Sequence, residues 1–232
     1  NLPFPAGGRG DAPDSGRAFL EITAAAGEEG VRCSSRAVPA GGACDQDLLR
    51  DLAPIQKGVD QWLEVVVGHL DRPLLPGAPL AMAAEGSGLA AFFNRVQLEA
   101  SGAELSVSSL ANDAAGLPQV VRRRDVLTAY PYTNTLAVLR VTGKVLRQAM
   151  ERTAEYFALD GAGKLRVSER FLKPKVEHYN YDYYAGVEYL IDPARPEGQR
   201  VISLTRNGAP VEEEQEFTVC LSSYRASGAG GY

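Results

Sequence analysis

The chain has 232 residues, of which 24 are lysine or arginine and 29 are aspartate or glutamate, giving a formal net charge of −5. This length is enough for one large domain or for a domain with an extension, and a composition of 45% hydrophobic and 23% charged residues is typical of a globular protein. The acidic balance argues against a general surface for polymeric nucleic acid, which would normally be basic, and no apolar run is long enough to span a bilayer. A small anionic ligand held by a few local arginines is compatible with these totals.

The N-terminal region predicts an irregular segment followed by a hairpin. Residues 1–16 are rich in Gly, Pro and Asp, whereas residues 18–23 and 31–38 alternate in polarity as strands do, with residues 27–30 as the turn between them. A two-stranded hairpin is only marginally stable alone, so we expect it to pack on another part of the protein. Because the chain begins at Asn1 rather than Met, we interpret it as a processed or excised piece of a longer protein.

A long amphipathic helix is predicted over residues 45–70. Apolar residues recur there at helical spacing, Asp45 is suited to the N-cap, and His69 would lie at the C-terminal end as a surface or C-cap residue. Prolines at positions 73, 76 and 79 then interrupt the chain, because closely spaced prolines each remove a helical hydrogen bond and disfavour a continuous helix.

From about residue 80 onward, the order of helices and strands is typical of an α+β (mixed α/β) domain with a mixed sheet and packed helices. The Asn207-Gly208 pair predicts a turn between the last two strands. The predicted elements are, in chain order, a helix over 88–101, a strand over 105–110, a loop over 111–118, a short helical turn capped by Asp125 and leading to Tyr130, a strand over 135–141, a helix over 143–157 capped by Thr142 with Val145, Leu146, Ala149 and Met150 facing inward, and strands over 186–191, 200–206 and 216–221.

The sequence lacks the usual reaction centres of hydrolases. Its two histidines, His69 and His178, belong to no clustered metal-binding motif, and neither has an evident orienting partner for catalysis. A phosphate-binding loop and a nucleophile elbow are both absent from the sequence. Cys33, Cys44 and Cys220 form no metal-binding spacing. A Cys33–Cys44 bridge, which would indicate an oxidising compartment, and free thiols are both compatible with the sequence.

The C-terminal segment, residues 222–232, places an aromatic residue and an arginine before a glycine-rich turn. Glycines allow the backbone to approach a ligand closely, and an aromatic ring offers a flat face for a nucleobase. Glycine-rich termini are also commonly disordered, so the tail alone indicates little. The tail becomes informative together with a second aromatic and polar segment upstream, residues 130–136.

Three segments resemble one known family. The stretch from Tyr130 to Gly143, followed by an amphipathic helix, is similar to the core of the 5′-nucleotidase C-terminal domain. The stretches 179–192 and 224–228 resemble the bacterial 2′,3′-cyclic-nucleotide 2′-phosphodiesterase/3′-nucleotidase branch of that family. The resemblance covers roughly residues 45–232, and it implies a fold like the 5′-nucleotidase C-terminal domain, preceded by a linker helix.

The resemblance also implies a division of the chain and a missing partner. Residues 1–43 would be a hairpin remnant of a catalytic metallophosphoesterase domain, residues 44–72 the linker helix, and residues 73–232 the nucleotide-binding domain. Members of the family hold two divalent metal ions in the N-terminal domain, so neither a metal site nor a catalytic residue is expected in this chain. The implied location is periplasmic, extracellular or at the bacterial cell surface.

The family's base-stacking pair corresponds to Tyr132 and Tyr224, which would hold a purine or pyrimidine between their rings. The alternatives are a core tyrosine at position 132 and a disordered tail residue at position 224. Asn112 takes the place of an asparagine that approaches the ribose or phosphate, and Arg225 is either an anion contact or a structural residue. The other residues in the implied substrate-binding set are Gly116, Asn134, Gly228 and Gly230.

Two departures from the 5′-nucleotidase pattern favour the cyclic-phosphodiesterase branch. The loop from Asn112 to Pro118 lacks the arginine that ends the Asn-x-Gly-Gly-Ile-Arg motif, and Gly230 replaces the aspartate that is frequent in the final glycine loop. The basic cluster at residues 122–124 is interpreted as a solvated face rather than as a phosphate site.

Two functional hypotheses follow. The first is the substrate-binding domain of a secreted, two-domain, metal-dependent phosphohydrolase that acts on 2′,3′-cyclic nucleotides and then on the resulting 3′-phosphates, with a 5′-nucleotidase as the alternative within this class. Its partners would be nucleosides, nucleotides with a 2′,3′-cyclic or 3′-phosphate, and its own N-terminal metallophosphoesterase domain. The second hypothesis is a non-catalytic extracellular binding or adhesion module that keeps the fold.

Overall fold

The computed structural model describes residues 18–27, 30–39 and 45–232, which form two compact units divided after Val59. In the first unit, strands β1 (Ala18–Gly27) and β2 (Gly30–Pro39) pair antiparallel. This confirms the predicted hairpin, with β1 extending four residues further at its C-terminal end and β2 one residue further at each end. Opposite residues Glu21 and Arg36 form an ion pair at 2.7 Å.

Helix α1 (Gln46–Leu63) begins as predicted but ends seven residues early. The Asp45 carboxylate accepts hydrogen bonds from the backbone N–H groups of residues 47 and 48, as an N-cap residue does. The predicted end at residue 70 is wrong, because the β-branched residues that follow form strand β3 (Val66–His69). His69 is therefore a strand residue and not a helix cap, and the linker helix predicted over residues 44–72 is shorter than expected.

The rest of the second unit contains five further helices and ten further strands. Helix α3 coincides with the helix predicted over residues 88–101, and helix α2 was not predicted; Pro79 occupies its first turn, where the missing N–H costs no hydrogen bond. The elements are α2 (Pro79–Glu85), α3 (Gly88–Ser101), β4 (Leu105–Ser109), β5 (Val120–Arg122), α4 (Arg123–Ala129), β6 (Leu136–Thr142), α5 (Gly143–Ala154), β7 (Phe157–Leu159), β8 (Leu165–Val167), β9 (Asp182–Ala185), β10 (Glu188–Ile191), β11 (Val201–Arg206), β12 (Ala209–Pro210), β13 (Glu216–Ser222) and α6 (Ser223–Ala226).

The second unit contains a four-stranded mixed sheet with the strand order β6-β13-β4-β9. Strands β13 and β4 are parallel, and the other two pairs are antiparallel. Along β4 the side chains alternate between two helices: Leu105 and Val107 join the apolar cluster that contains Leu146 and Met150 of α5, whereas the intervening serines hydrogen-bond to α3. The result is a mixed sheet between packed helices, which confirms the predicted fold class.

Several boundaries differ from the sequence-based expectation. Helix α5 starts after Thr142, whose hydroxyl accepts a hydrogen bond from the N–H of Val145, as predicted. It ends at Ala154, and Phe157, predicted as its last residue, begins β7 instead. Val145, predicted to face inward, is exposed. The turn at residues 207–208 leads from β11 into the short strand β12 rather than directly into β13.

Short strands account for most of the elements that the sequence did not predict. Strands β5, β7, β8 and β12 have two or three residues each, too few for a polarity pattern to be detected. Within the described ranges, no helix is long and apolar enough to cross a membrane.

Candidate functional site

A cavity of about 270 Å³ lies at the end of the central sheet where β6 begins and β13 ends. The structure brings four of the predicted substrate-binding residues to its wall. These four are Tyr132, Asn134, Tyr224 and Arg225. Two further lining residues, Lys175 and Tyr179, were not predicted.

Strand pairing and a pair of hydrogen bonds hold the two aromatic segments together. In the antiparallel β6–β13 pair Leu136 faces Ser222, so the residues before β6 and after β13 emerge at one edge of the sheet. There the N–H of Ser223 donates to the carbonyl of Thr135 at 2.8 Å, and the hydroxyl of Ser223 accepts from the N–H of Thr135 at 3.2 Å. This contact fixes the segment that carries Tyr132 beside the short helix that carries Tyr224.

The rings of these two tyrosines are accessible to a ligand. Tyr132 is 52% exposed and Tyr224 is 45% exposed. Neither residue is therefore a core tyrosine, and Tyr224 lies in helix α6, whose N-cap hydroxyl on Ser222 accepts from the N–H of Arg225 at 3.2 Å. Two large aromatic side chains are thus half exposed on the wall of one cavity.

Arg225 belongs to a buried ion pair in the wall of the cavity. Its guanidinium lies 2.9 Å from the Asp182 carboxylate, and both side chains are almost completely buried. Burial raises the pKa of the Asp182 carboxyl, and the positive charge of Arg225 opposes that rise. The second carboxylate oxygen of Asp182 has no hydrogen-bond partner among the described residues.

The same guanidinium also organises the C-terminal segment. It donates to the carbonyl oxygens of Tyr179 and Ala229 and to the side-chain oxygen of Asn180, and it lies 4.4 Å from the centre of the Tyr232 ring. A charged group that is this extensively bonded has a structural role. Its contact with an anion stays a prediction.

The three predicted glycines do not line the cavity. Gly230 has a φ of +82°, and a Cβ atom there would overlap the Arg225 guanidinium and the Asn180 side chain. A Cβ on Gly116 would meet the carbonyl oxygen of Leu74, and Gly228 has a φ of +86°. These glycines therefore meet the packing and turn requirements of their own segments.

Asn112 contacts the protein rather than the cavity. Its side-chain N–H donates to the carbonyl of Val176 at 2.8 Å, and its side-chain oxygen accepts from the N–H of Tyr179 at 3.3 Å. It lines a separate cavity of about 140 Å³, and His178 is another residue of that cavity's wall. Asn112 thus fastens residues 176–179 to the loop after β4.

Lys175 and Tyr179 are the functional candidates that sequence reasoning missed. The Lys175 ammonium donates to the Tyr179 hydroxyl at 3.0 Å, and that hydroxyl donates to a carboxylate oxygen of Glu177 at 3.1 Å. The segment has no periodicity, and the only signal was the tyrosine-rich stretch that starts at Tyr179.

The basic cluster at residues 122–124 lies elsewhere and is paired. Arg122 and Arg124 form ion pairs with Glu64 at 3.1 and 2.6 Å, and the Arg123 guanidinium lies 4.8 Å from the centre of the Trp62 ring. None of the three lines the cavity. The structure therefore gives all three guanidinium groups partners within the protein.

His178 is held in its neutral form beside the smaller cavity. Burial lowers the pKa of its imidazole, and its Nδ1 atom lies 2.6 Å from the Tyr156 hydroxyl. Burial raises the pKa of that phenol far above neutral pH. We therefore assign the hydroxyl as the donor and Nδ1 as the acceptor.

Stability should fall on acidification because of His178. Its folded pKa lies below the unfolded value of about 6.5, so below that pH the unfolded state binds more protons and folding becomes less favourable. We expect the urea midpoint to be lower at pH about 5.5 than at about 7.5, and His178→Asn, whose amide cannot be protonated, to reduce the difference. His69→Asn, which leaves His178 in place, should keep it. An equal decrease in all three proteins would contradict this assignment.

The described residues offer no fitting site for the two metal ions that the resemblance implies. Within the ranges described, no group of three or more His, Cys, Asp or Glu side chains is arranged to hold a metal. Cys33 in β2 is an exposed free thiol, and Cys44 lies outside the described residues.

Curated relatives that match the chain are nucleotide phosphoesterases. A 2′,3′-cyclic-nucleotide 2′-phosphodiesterase/3′-nucleotidase of Haemophilus influenzae is 31% identical over 143 residues, which cover 55% of this chain and 22% of the relative. A trifunctional nucleotide phosphoesterase of Bacillus subtilis is 30% identical over 125 residues, 47% of this chain and 8% of that protein. The matched region therefore spans less than a quarter of these relatives.

A solved structure and a family match extend the likeness over most of the chain. The structure of a Staphylococcus aureus protein provisionally assigned as a 5′-nucleotidase aligns with a TM-score of 0.77 at 33% identity, covering 91% of this chain and 42% of that one. The sequence model of the family described as 5′-nucleotidase, C-terminal domain, matches residues 66–232. Since this match spans well over half of the sequence, the chain belongs to the 5′-nucleotidase C-terminal domain family.

Proposed function

We propose that this chain is the nucleoside- and nucleotide-binding domain of a two-domain, metal-dependent phosphohydrolase, and that the base stacks between Tyr132 and Tyr224. The observation that carries this proposal is the position of two half-exposed tyrosines on the wall of one cavity, on segments that are fastened together through Thr135 and Ser223. Stacking on aromatic side chains contributes roughly 1–3 kcal/mol per base and accepts any base.

Asn134 supplies the polar contact that such a site needs. Its side-chain amide can donate and accept hydrogen bonds, and it lies on the same cavity wall as the two tyrosines. A largely apolar pocket with a few convergent polar groups is the usual form of a small-molecule site. We assign Asn134 to the edge of the base, while the two rings hold its faces.

We further propose that the parent protein removes the 2′-phosphoester of 2′,3′-cyclic nucleotides and then the 3′-phosphate. The names of relatives from Haemophilus and Salmonella support this branch, as does the loss of the arginine from the loop 112–118. A preceding metallophosphoesterase domain would hold two divalent ions that activate water and neutralise phosphoryl charge. Export to the periplasm or the cell surface is part of the same proposal.

Calorimetric titration of the purified chain with nucleosides and 3′-nucleotides tests the binding function. We expect measurable heat with both ligand classes and no release of phosphate in the presence of divalent metal ions. The absence of heat with every nucleoside would instead favour a non-catalytic binding or adhesion module that keeps the fold. Metal-dependent hydrolysis by this chain would contradict the assignment of catalysis to another domain.

A further inference from the structure

Lys175 places an ammonium group on the wall of the cavity. It is exposed, and it lines the cavity together with Tyr132, Tyr224 and Tyr179. The other two charged lining residues are Asp182 and Arg225, which neutralise each other at 2.9 Å. Lys175 is therefore the one charged side chain lining this cavity that has no oppositely charged partner among the other described lining residues.

No carboxylate in the described part of the chain is within ion-pair distance of this ammonium. Glu177, two residues along the chain, uses one carboxylate oxygen to accept from the Tyr179 hydroxyl and the other to accept from the Asn180 side chain at 3.0 Å. The ammonium itself donates to the neutral Tyr179 hydroxyl and lies 5.1 Å from the centre of that ring. The hydrogen bond from Lys175 to Tyr179 raises the pKa of the ammonium, and the charge of Glu177 adds to that effect, so the side chain is cationic at neutral pH.

The segment that carries Lys175 is fixed by two of the predicted site residues. Asn112 binds the carbonyl of Val176 and the N–H of Tyr179. Arg225 donates to the carbonyl of Tyr179 at 3.3 Å. Tyr179 is thus held through both of its backbone polar groups, and its hydroxyl in turn holds the Lys175 ammonium. This arrangement reduces the conformational entropy that a ligand would have to remove on binding.

We infer that Lys175 recognises the phosphate of a nucleotide whose base lies between Tyr132 and Tyr224, with Asn112 and Tyr179 as positioning residues. This inference rests on the proposed function. An ammonium forms strong, charge-assisted hydrogen bonds to phosphate oxygens. It also supplies the local cation that the loop 112–118 lacks, since that loop contains no arginine.

The experiment compares a nucleoside with its 3′-monophosphate, because the two differ only in the group that Lys175 is assigned to bind. Calorimetry with adenosine and adenosine 3′-monophosphate should give wild-type chain a higher affinity for the nucleotide, and this advantage should shrink as salt screens the charge. In Lys175→Met we expect the nucleotide affinity to fall by about fivefold to tenfold, with the adenosine affinity unchanged within about twofold. Lys175→Arg should retain most of the advantage.

Lys173 offers a matched control within the same segment. It is exposed, pairs with Glu169 at 3.2 Å and does not line the cavity. Lys173→Met removes the same net charge and should leave both affinities unchanged. An equal fall for adenosine and its 3′-monophosphate in Lys175→Met would assign the lysine to the base or ribose and overturn the inference. Unchanged affinities for both ligands in Lys175→Met would also overturn it. Failure of the wild-type chain to bind either ligand would instead remove the proposed function, and this inference with it.

Discussion

Replacing Tyr132 and Tyr224 by alanine together should abolish detectable nucleoside binding, and each single replacement should lower the affinity by roughly tenfold. Alanine substitution of a stacking aromatic costs about 1–3 kcal/mol per base, and 1.4 kcal/mol corresponds to about a factor of ten. Both rings are about half exposed, so their loss removes a ligand surface and little of the core. The free energy of unfolding should therefore change by less than about 1 kcal/mol.

Phenylalanine at the same positions provides the control. Tyr132→Phe and Tyr224→Phe keep the aromatic face and remove only the hydroxyl, so they should bind nucleosides within a few fold of the wild-type chain. Calorimetry with a purine and a pyrimidine nucleoside should give the same order of variants for both, because stacking is tolerant of the base. An unchanged affinity in the double alanine variant would contradict the base-stacking proposal.

The meeting of the two tyrosines could be inferred from the sequence only in part. The family motifs single out Tyr132 and Tyr224, and the strands over 135–141 and 216–221 were predicted within one or two residues. Their antiparallel pairing, with Leu136 opposite Ser222, is the step that brings residues 92 positions apart to one edge of the sheet. Pairing partners depend on packing across the whole domain, and a polarity pattern does not specify them.

Residues whose role depends on a distant partner were the least predictable. Arg225 was predicted as an anion contact or a structural residue, and its position in a buried pair depends on Asp182, 43 residues earlier. Asn112 was expected to face the ligand, but its amide is used to hold residues 176–179. Lys175 lies in a segment without periodicity, so its place on the cavity wall depends on those same tertiary contacts.

Arg225→Met should destabilise the domain by about 3–5 kcal/mol at neutral pH, more than any other single replacement considered for this chain. Removing one partner of a buried ion pair leaves the other as an uncompensated charge. Here that charge is the Asp182 carboxylate, which is 1% exposed and already has one oxygen without a partner among the described residues. The midpoint of urea unfolding, followed by circular dichroism, measures the effect.

Two measurements distinguish the cost of burying an unpaired charge from the cost of lost packing: the pH dependence of the stability of Arg225→Met, and the effect of a second substitution at Asp182. Burial raises the pKa of the Asp182 carboxyl, and loss of Arg225 removes the largest effect that opposes this rise, so the folded state binds a proton more tightly than the unfolded state. The destabilisation caused by Arg225→Met should therefore grow as the pH rises above about 3.9, the pKa of an aspartate carboxyl in the unfolded chain. Adding Asp182→Asn, which carries no charge, should restore part of the stability at neutral pH.

An exposed ion pair provides the control for the loss of stability expected in Arg225→Met. Arg95 and Glu99 lie one helical turn apart at 2.8 Å and are largely exposed, so Arg95→Met should cost no more than about 0.5 kcal/mol. Arg225 also holds the carbonyl of Tyr179 and lies in the helix that carries Tyr224. Its loss should therefore weaken nucleoside binding even in the folded fraction. A variant that stays as stable as Arg95→Met and binds normally would show that the buried pair supports neither the fold nor the cavity.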